Sequence, residues 1–353
     1  MIDNPNTGSY GSARTDTEHI SLDAQREAGK EIARNDSASL LDLGDGVLCF
    51  EIHSQANTVD PDVVTMGRQA LRELENDTWL GMVIGNDAKN FCVGANLSDV
   101  VTAAQQGQWD QLRQRIKAFL DVVMGLRFSK KPVIAAPHGQ TLGAGAEIAL
   151  HCSRVVAAAE TRIGLVDMGV GLLPAGGGTK EMARRLISKP MRINPGAPPL
   201  PFAQKAFETI AQAKVSGNAQ EARTLGFLTK EDLIVTTPDH LLSIAKHEVL
   251  DLAEHYQPPE RGLDIYAGGR PVFAALETGI QQLVWGGFVT AYDAVVATTI
   301  ADVLCGGDLS AGQWVTEDYL LTLEQEGFLS LLHNQKTMER IEAMLKTGKP
   351  LRN

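Results

Sequence analysis

Gly139-Gln-Thr-Leu-Gly-Ala-Gly-Ala-Glu147 sets one acid behind three spaced glycines in an otherwise mostly apolar run. Downstream, Gly164-Leu-Val-Asp167 places a second acid, and Leu173-Pro-Ala-Gly-Gly-Gly-Thr179 adds another glycine-rich turn. Burying a carboxylate among Ala, Ile and Leu is costly unless it is paired or hydrogen-bonded. Two such acids beside turns that can expose backbone N–H groups suit acid/base chemistry on a substrate that develops an oxyanion. The alternative reading of the same spacing is a pair of structural acids near helix ends.

Working upstream, Met82-Val-Ile84 reads as a buried strand, and Lys89-Asn-Phe-Cys-Val-Gly-Ala-Asn-Leu97 follows it. A strand that ends in a glycine turn and opens into a helix often faces backbone N–H groups toward a ligand. With this third segment the chain resembles the crotonase superfamily of enoyl-CoA hydratases and isomerases. Phe91 to Asn96 resembles the first oxyanion loop, Gly139 to Glu147 the second loop with the first catalytic glutamate, and Ile163 to Thr179 the segment carrying the second acid. Leu41 to Val47 and Lys346 to Asn353 extend the likeness to the hydratase half of bacterial two-domain proteins that also contain a 3-hydroxyacyl-CoA dehydrogenase.

The resemblance implies an α/β fold, a crotonase-like β-β-α superhelix core with a C-terminal helical subdomain. It assigns Glu147 to hold and deprotonate a water, and Asp167 to exchange the proton at the substrate's α-carbon. Backbone N–H groups of Ala95 and Ala144 would bind the thioester oxyanion, with Val93, Gly94 and Gly143 contacting the substrate. Two departures stand out. Asp167 occupies a position where hydratases carry glutamate, one methylene longer, or roughly 1.5 Å of reach. Ala144 stands where glycine is usual, and alanine is tolerable there only at negative φ. The implied activity is hydration of a trans-2-enoyl-CoA to the 3-hydroxyacyl-CoA in fatty acid β-oxidation. A Δ3-Δ2 enoyl-CoA isomerase, which needs mainly one acid, and a weakly active acyl-CoA-binding subunit of a dehydrogenase are the competing readings.

Bulk properties agree with a catalytic protein. The 353 residues are 44% hydrophobic, enough for a sizeable core. The net charge of −11 argues against nucleic-acid binding. No apolar run reaches membrane-spanning length, the start lacks a signal-peptide layout, and the four cysteines are scattered, so a cytoplasmic location with reduced thiols is expected. Gly-x-Gly-x-x-Gly is missing behind a first strand, so no nicotinamide cofactor is expected, and no metal cluster is legible. Partners implied by the resemblance are the acyl-CoA substrate, further copies in a trimer-based homo-oligomer, and a 3-hydroxyacyl-CoA dehydrogenase.

Along the chain, residues 1–36 read as a polar linker or arm, 37–187 as the core with both oxyanion loops, 188–201 as a proline-rich insertion, and 202–353 as a mostly helical region. Five prolines between Ser188 and Pro201 exclude regular helix there by their missing N–H groups. Asn96 is expected to cap a helix, and Cys92, His138 and His151 to be packing residues. Lys346, Lys349 and Arg352 read as a solvated helix end, with contact to CoA phosphates the alternative.

Overall fold

The computed structural model describes residues 19–353. Nine strands build its first two-thirds: β1 (Glu31–Arg34), β2 (Ala38–Asp42), β3 (Val47–Ile52), β4 (Gly81–Ile84), β5 (Val133–Ala135), β6 (Gln140–Leu142), β7 (Arg154–Ala158), β8 (Arg162–Gly164) and β9 (Leu233–Val235). Seven form one sheet in the order β1-β2-β3-β4-β5-β7-β9. β1, β2 and β3 pair antiparallel, and the pairings from β3 to β9 are parallel. Parallel strands need crossovers, and here helices supply most of them.

Both sheet faces are covered, so the central strands are apolar throughout instead of alternating with polar residues. Leu48, Phe50, Ile52, Met82, Ile84 and Val133 pack into the larger core, on the side of the helices Pro61–Leu74 and Trp109–Arg127. Val47, Cys49, Val83, Ile134 and Val156 face the other way, against the helix Leu241–Ala253. Asp60 caps the helix Pro61–Leu74 by accepting from the N–H groups of Asp62 and Val63, with proline at the first helical position.

Two sequence expectations need correction. Residues 1–18 of the expected arm lie outside the described residues. From Leu22 the chain is ordered as the helix Leu22–Glu27 and then β1, the edge of the main sheet. The segment 188–201 does contain helix: Lys189–Ile193 continues a helical run that starts at Gly178 and includes a π turn at Ala183–Ser188. Pro190 falls inside that run, directly after the π turn, whereas Pro201 lies in the first turn of Leu200–Ala211, where a missing N–H is tolerated. The C-terminal helices are also interrupted by a two-stranded antiparallel ribbon, β10 (Ile265–Ala267) with β11 (Gln313–Val315).

Candidate active site

β6 and β8 form a small parallel pair outside the main sheet, with Leu142 opposite Gly164. Cys92 bridges to Thr141 on the other side of β6, and Val59 bridges to Ala95 beyond it. Four stretches of backbone thus run side by side and end at the same level. One ends in Ala95, the next in the Gly143 turn and the helix Ala144–His151, the third in Asp167. Gly143 N donates to Gly164 O at 2.9 Å, which ties the turn bearing Ala144 to the turn bearing Asp167.

Ala95, Ala144, Glu147 and Asp167 line one cavity of about 300 Å³. Val64, Val100, Leu112, Ile116, Phe119 and Phe328 supply its apolar wall, and Arg68, Asp99 and Arg115 also line it. Val93, Gly94 and Gly143 do not reach that lining and serve instead as backbone behind it. Gly143 has φ +50°, open to glycine at no cost. A Cβ on Gly145 would sit 2.4 Å from Cys92 O, so the two loops touch backbone to backbone. Ala144 is the first residue of its helix and is not among the positive-φ residues, so its methyl is unstrained.

Among the described residues neither Ala95 N–H nor Ala144 N–H donates a hydrogen bond. Ala144 N–H is free because the first turn of a helix has no internal acceptors. Two free donors at one cavity wall can donate to a developing oxyanion.

Glu147 is buried, and its Oε1 accepts from Gly176 N at 2.8 Å and Gly178 N at 2.9 Å. Burial pushes its carboxyl well above the usual range, helped by the charges of Asp167 and Glu324; the two amides pull the other way. Burial also raises Asp167, to about 6. Its Oδ2 has no exposed surface and no hydrogen-bond partner among the described residues. A buried acceptor without a partner is costly, and a substrate proton would satisfy it.

Sequence reasoning missed Glu324. It is fully buried on the helix Glu317–Leu332 and accepts from Gly177 N at 2.9 Å and Lys180 N at 2.5 Å. Burial raises it to about 8 against the pull of those donors. The glycine turn was assigned to the second acid, which it follows in the chain, but it grips the first. Its partner on the other side is 147 residues from Gly177 and carries no motif.

Behind Glu147 lies a buried charged network. His151 Nδ1 donates to Glu147 O at 2.7 Å, and Lys180 Nζ donates to His151 Nε2 at 2.9 Å. Burial, with the Lys180 charge beside it, holds His151 far below its usual pKa and so neutral. Lys180 also pairs with Glu181 at 2.7 Å and Glu317 at 2.8 Å. Of the other residues singled out, Asn96 accepts from Ser98 N as a helix cap, His138 contacts Ala88 O, and the Cys92 thiol is buried and pushed up to about 12.

The architecture and this loop arrangement define a crotonase fold. An enoyl-CoA hydratase from Bacillus halodurans superposes with a TM-score of 0.59 over 87% of this chain and 99% of its own, at 16% identity. Residues 44–192 match the enoyl-CoA hydratase/isomerase family, which places that segment in the crotonase superfamily. A Bacillus subtilis protein named a probable 3-hydroxyacyl-CoA dehydrogenase is 40% identical over 98% of this chain and 43% of its own length. The short-chain-enoyl-CoA hydratase of Clostridium acetobutylicum is 28% identical over 54% of this chain and 64% of its own. The chain therefore spans less than half of the Bacillus subtilis relative. Among the described residues no helix is long and apolar enough to cross a membrane.

Proposed function

We propose that the chain adds water to a trans-2-enoyl-CoA to give the 3-hydroxyacyl-CoA. The observation that carries this reading is one cavity wall bearing two acids of raised pKa together with two free backbone donors. The thioester oxygen would lie between Ala95 N–H and Ala144 N–H, which stabilise the enolate as it forms. Glu147 takes a proton from water as the hydroxyl bonds to the β-carbon, and Asp167 delivers its proton to the α-carbon.

The proton count fits the electrostatics. Two neighbouring acids whose pKa values are raised by burial share a proton near neutral pH, and the pair titrates as a unit. Hydration draws on the form with that proton on Asp167, which passes to the α-carbon, and ends with a proton taken from water on Glu147. Dehydration runs the other way: ionised Asp167 removes the α-proton and protonated Glu147 releases the hydroxyl as water. Because the substrate's redox state does not change in this reaction, the proposed step calls for no nicotinamide.

The product is what a 3-hydroxyacyl-CoA dehydrogenase oxidises, on a longer version of this chain or on another chain. A trimer-based assembly completes the proposal and is read by light scattering. The reaction itself is tested with crotonyl-CoA in ¹⁸O-labelled water. One heavy oxygen in a 3-hydroxybutyryl-CoA product supports hydration, and double-bond migration without label uptake overturns it.

A further inference from the structure

A second cavity, of about 860 Å³, shares no lining residue with the first. The helix Trp109–Arg127 connects them: Phe119 lines the first and Arg127 the second, eight residues or roughly 12 Å further along. In a chain of net charge −11, this cavity is lined by Arg184, Arg185, Lys189, Arg192, Arg223 and Lys230 together with Arg127, and by only two acids, Glu231 and Asp264.

Its charges are not balanced from behind. Glu181 accepts from Arg184 and Arg185 and lies 3.9 Å from Arg127 Nε, while also holding Lys180. Glu317 serves Arg127 and Lys180. With Asp232, Glu231 and Asp264 included, eight cations face five carboxylates, an excess of three. Three observations locate the excess. Lys189 makes no hydrogen bond or ion pair among the described residues. Arg127 Nε is buried without a hydrogen-bond partner among them. Arg184 engages Glu181 through Nε and one terminal nitrogen, leaving its other terminal nitrogen without a hydrogen bond there.

We infer that this cavity binds a diphosphate-bearing anion. An anion of about three charges matches the excess, and planar guanidinium groups match phosphate oxygens two at a time. The shared chemistry is a pyrophosphate group, free or at the end of a nucleotide.

Calorimetric titration of the full chain with inorganic pyrophosphate, and separately with ADP, at low salt tests the site. One saturable event per chain is expected, weakening as ionic strength rises. It should survive in Glu147→Gln, because the first cavity takes no part. Lys189→Glu combined with Arg192→Glu should raise the Kd at least about tenfold. Lys230→Glu, on a side chain 91% exposed and so harmless to folding, should weaken binding in the same direction. ADP binding tighter than pyrophosphate assigns a nucleotide, and equal affinities assign the free anion. No binding of either probe, or an affinity unchanged in both charge-reversed variants, overturns the site.

Discussion

Glu147 and Glu324 hold alternate amides of one glycine turn. Gly176 and Gly178 donate to Glu147, and Gly177 and Lys180 donate to Glu324. The turn is fixed from both sides, so Glu324 positions Glu147 without touching the cavity lining. Replacing Glu324 by Gln keeps its shape but loses an acceptor, leaving a buried N–H unsatisfied at a cost of about 1–3 kcal/mol. A lower Tm and a kcat reduced about tenfold are expected, with KM little changed. Above about pH 8, where Glu324 is ionised, its charge also raises Glu147, so over that range the pH–rate limb that reports Glu147 should move to lower pH in this variant. A pH–kcat profile beside the melting curve separates this positioning role from simple destabilisation.

Asp167 should make the folded protein less stable as its carboxyl ionises. Its pKa is about 6 when folded and about 3.9 in an unfolded chain. The unfolded state therefore gives up this proton first, and the cost is absent below pH 4, grows between pH 4 and 6, and is complete above pH 6. Asp167→Asn should be more stable than wild type by about 1–2 kcal/mol at pH 7.5, since the residue is half-buried and partly screened. Urea titrations at several pH values should show the gap closing as pH falls to about 4.

Gly145→Ala tests the contact between the two loops proposed to bind the oxyanion. The added methyl would lie 2.4 Å from Cys92 O, and backbone must move to admit it. Displacing the loop that carries Ala95 N–H by about 1 Å should cost on the order of 100-fold in kcat/KM. Ala144→Gly is the matched control and should leave turnover within a few-fold, because Ala144 is not at positive φ.

Asn96→Ala separates structure from catalysis at the first loop. Loss of its bond to Ser98 N should cost about 1 kcal/mol of stability. Turnover at saturating substrate should stay close to wild type.

Much of this site was legible because its parts are local. The two loops and the two acids are short strings in which glycine spacing and one polar residue carry the signal, and the resemblance gave their order. Asp60 and Asn96 mark helix starts in the sequence, and each accepts a first-turn amide in the structure. What remained hidden depends on distant backbone. Glu324 binds amides, which every residue has, so its sequence neighbourhood says nothing of its partner. Lys180 carries no signal of burial in the sequence, yet it is fully buried with Glu181, Glu317 and His151 around its ammonium. Pro190 signals a break, but the helical run passes through it directly after a π turn.

The two-acid hydration is tested most directly by loss of enoyl absorbance of crotonyl-CoA with wild type, Glu147→Gln and Asp167→Glu. Turnover in wild type, a fall of roughly 10³ in Glu147→Gln, and unchanged or higher turnover in Asp167→Glu are the expected results. Full turnover retained in Glu147→Gln would contradict the account.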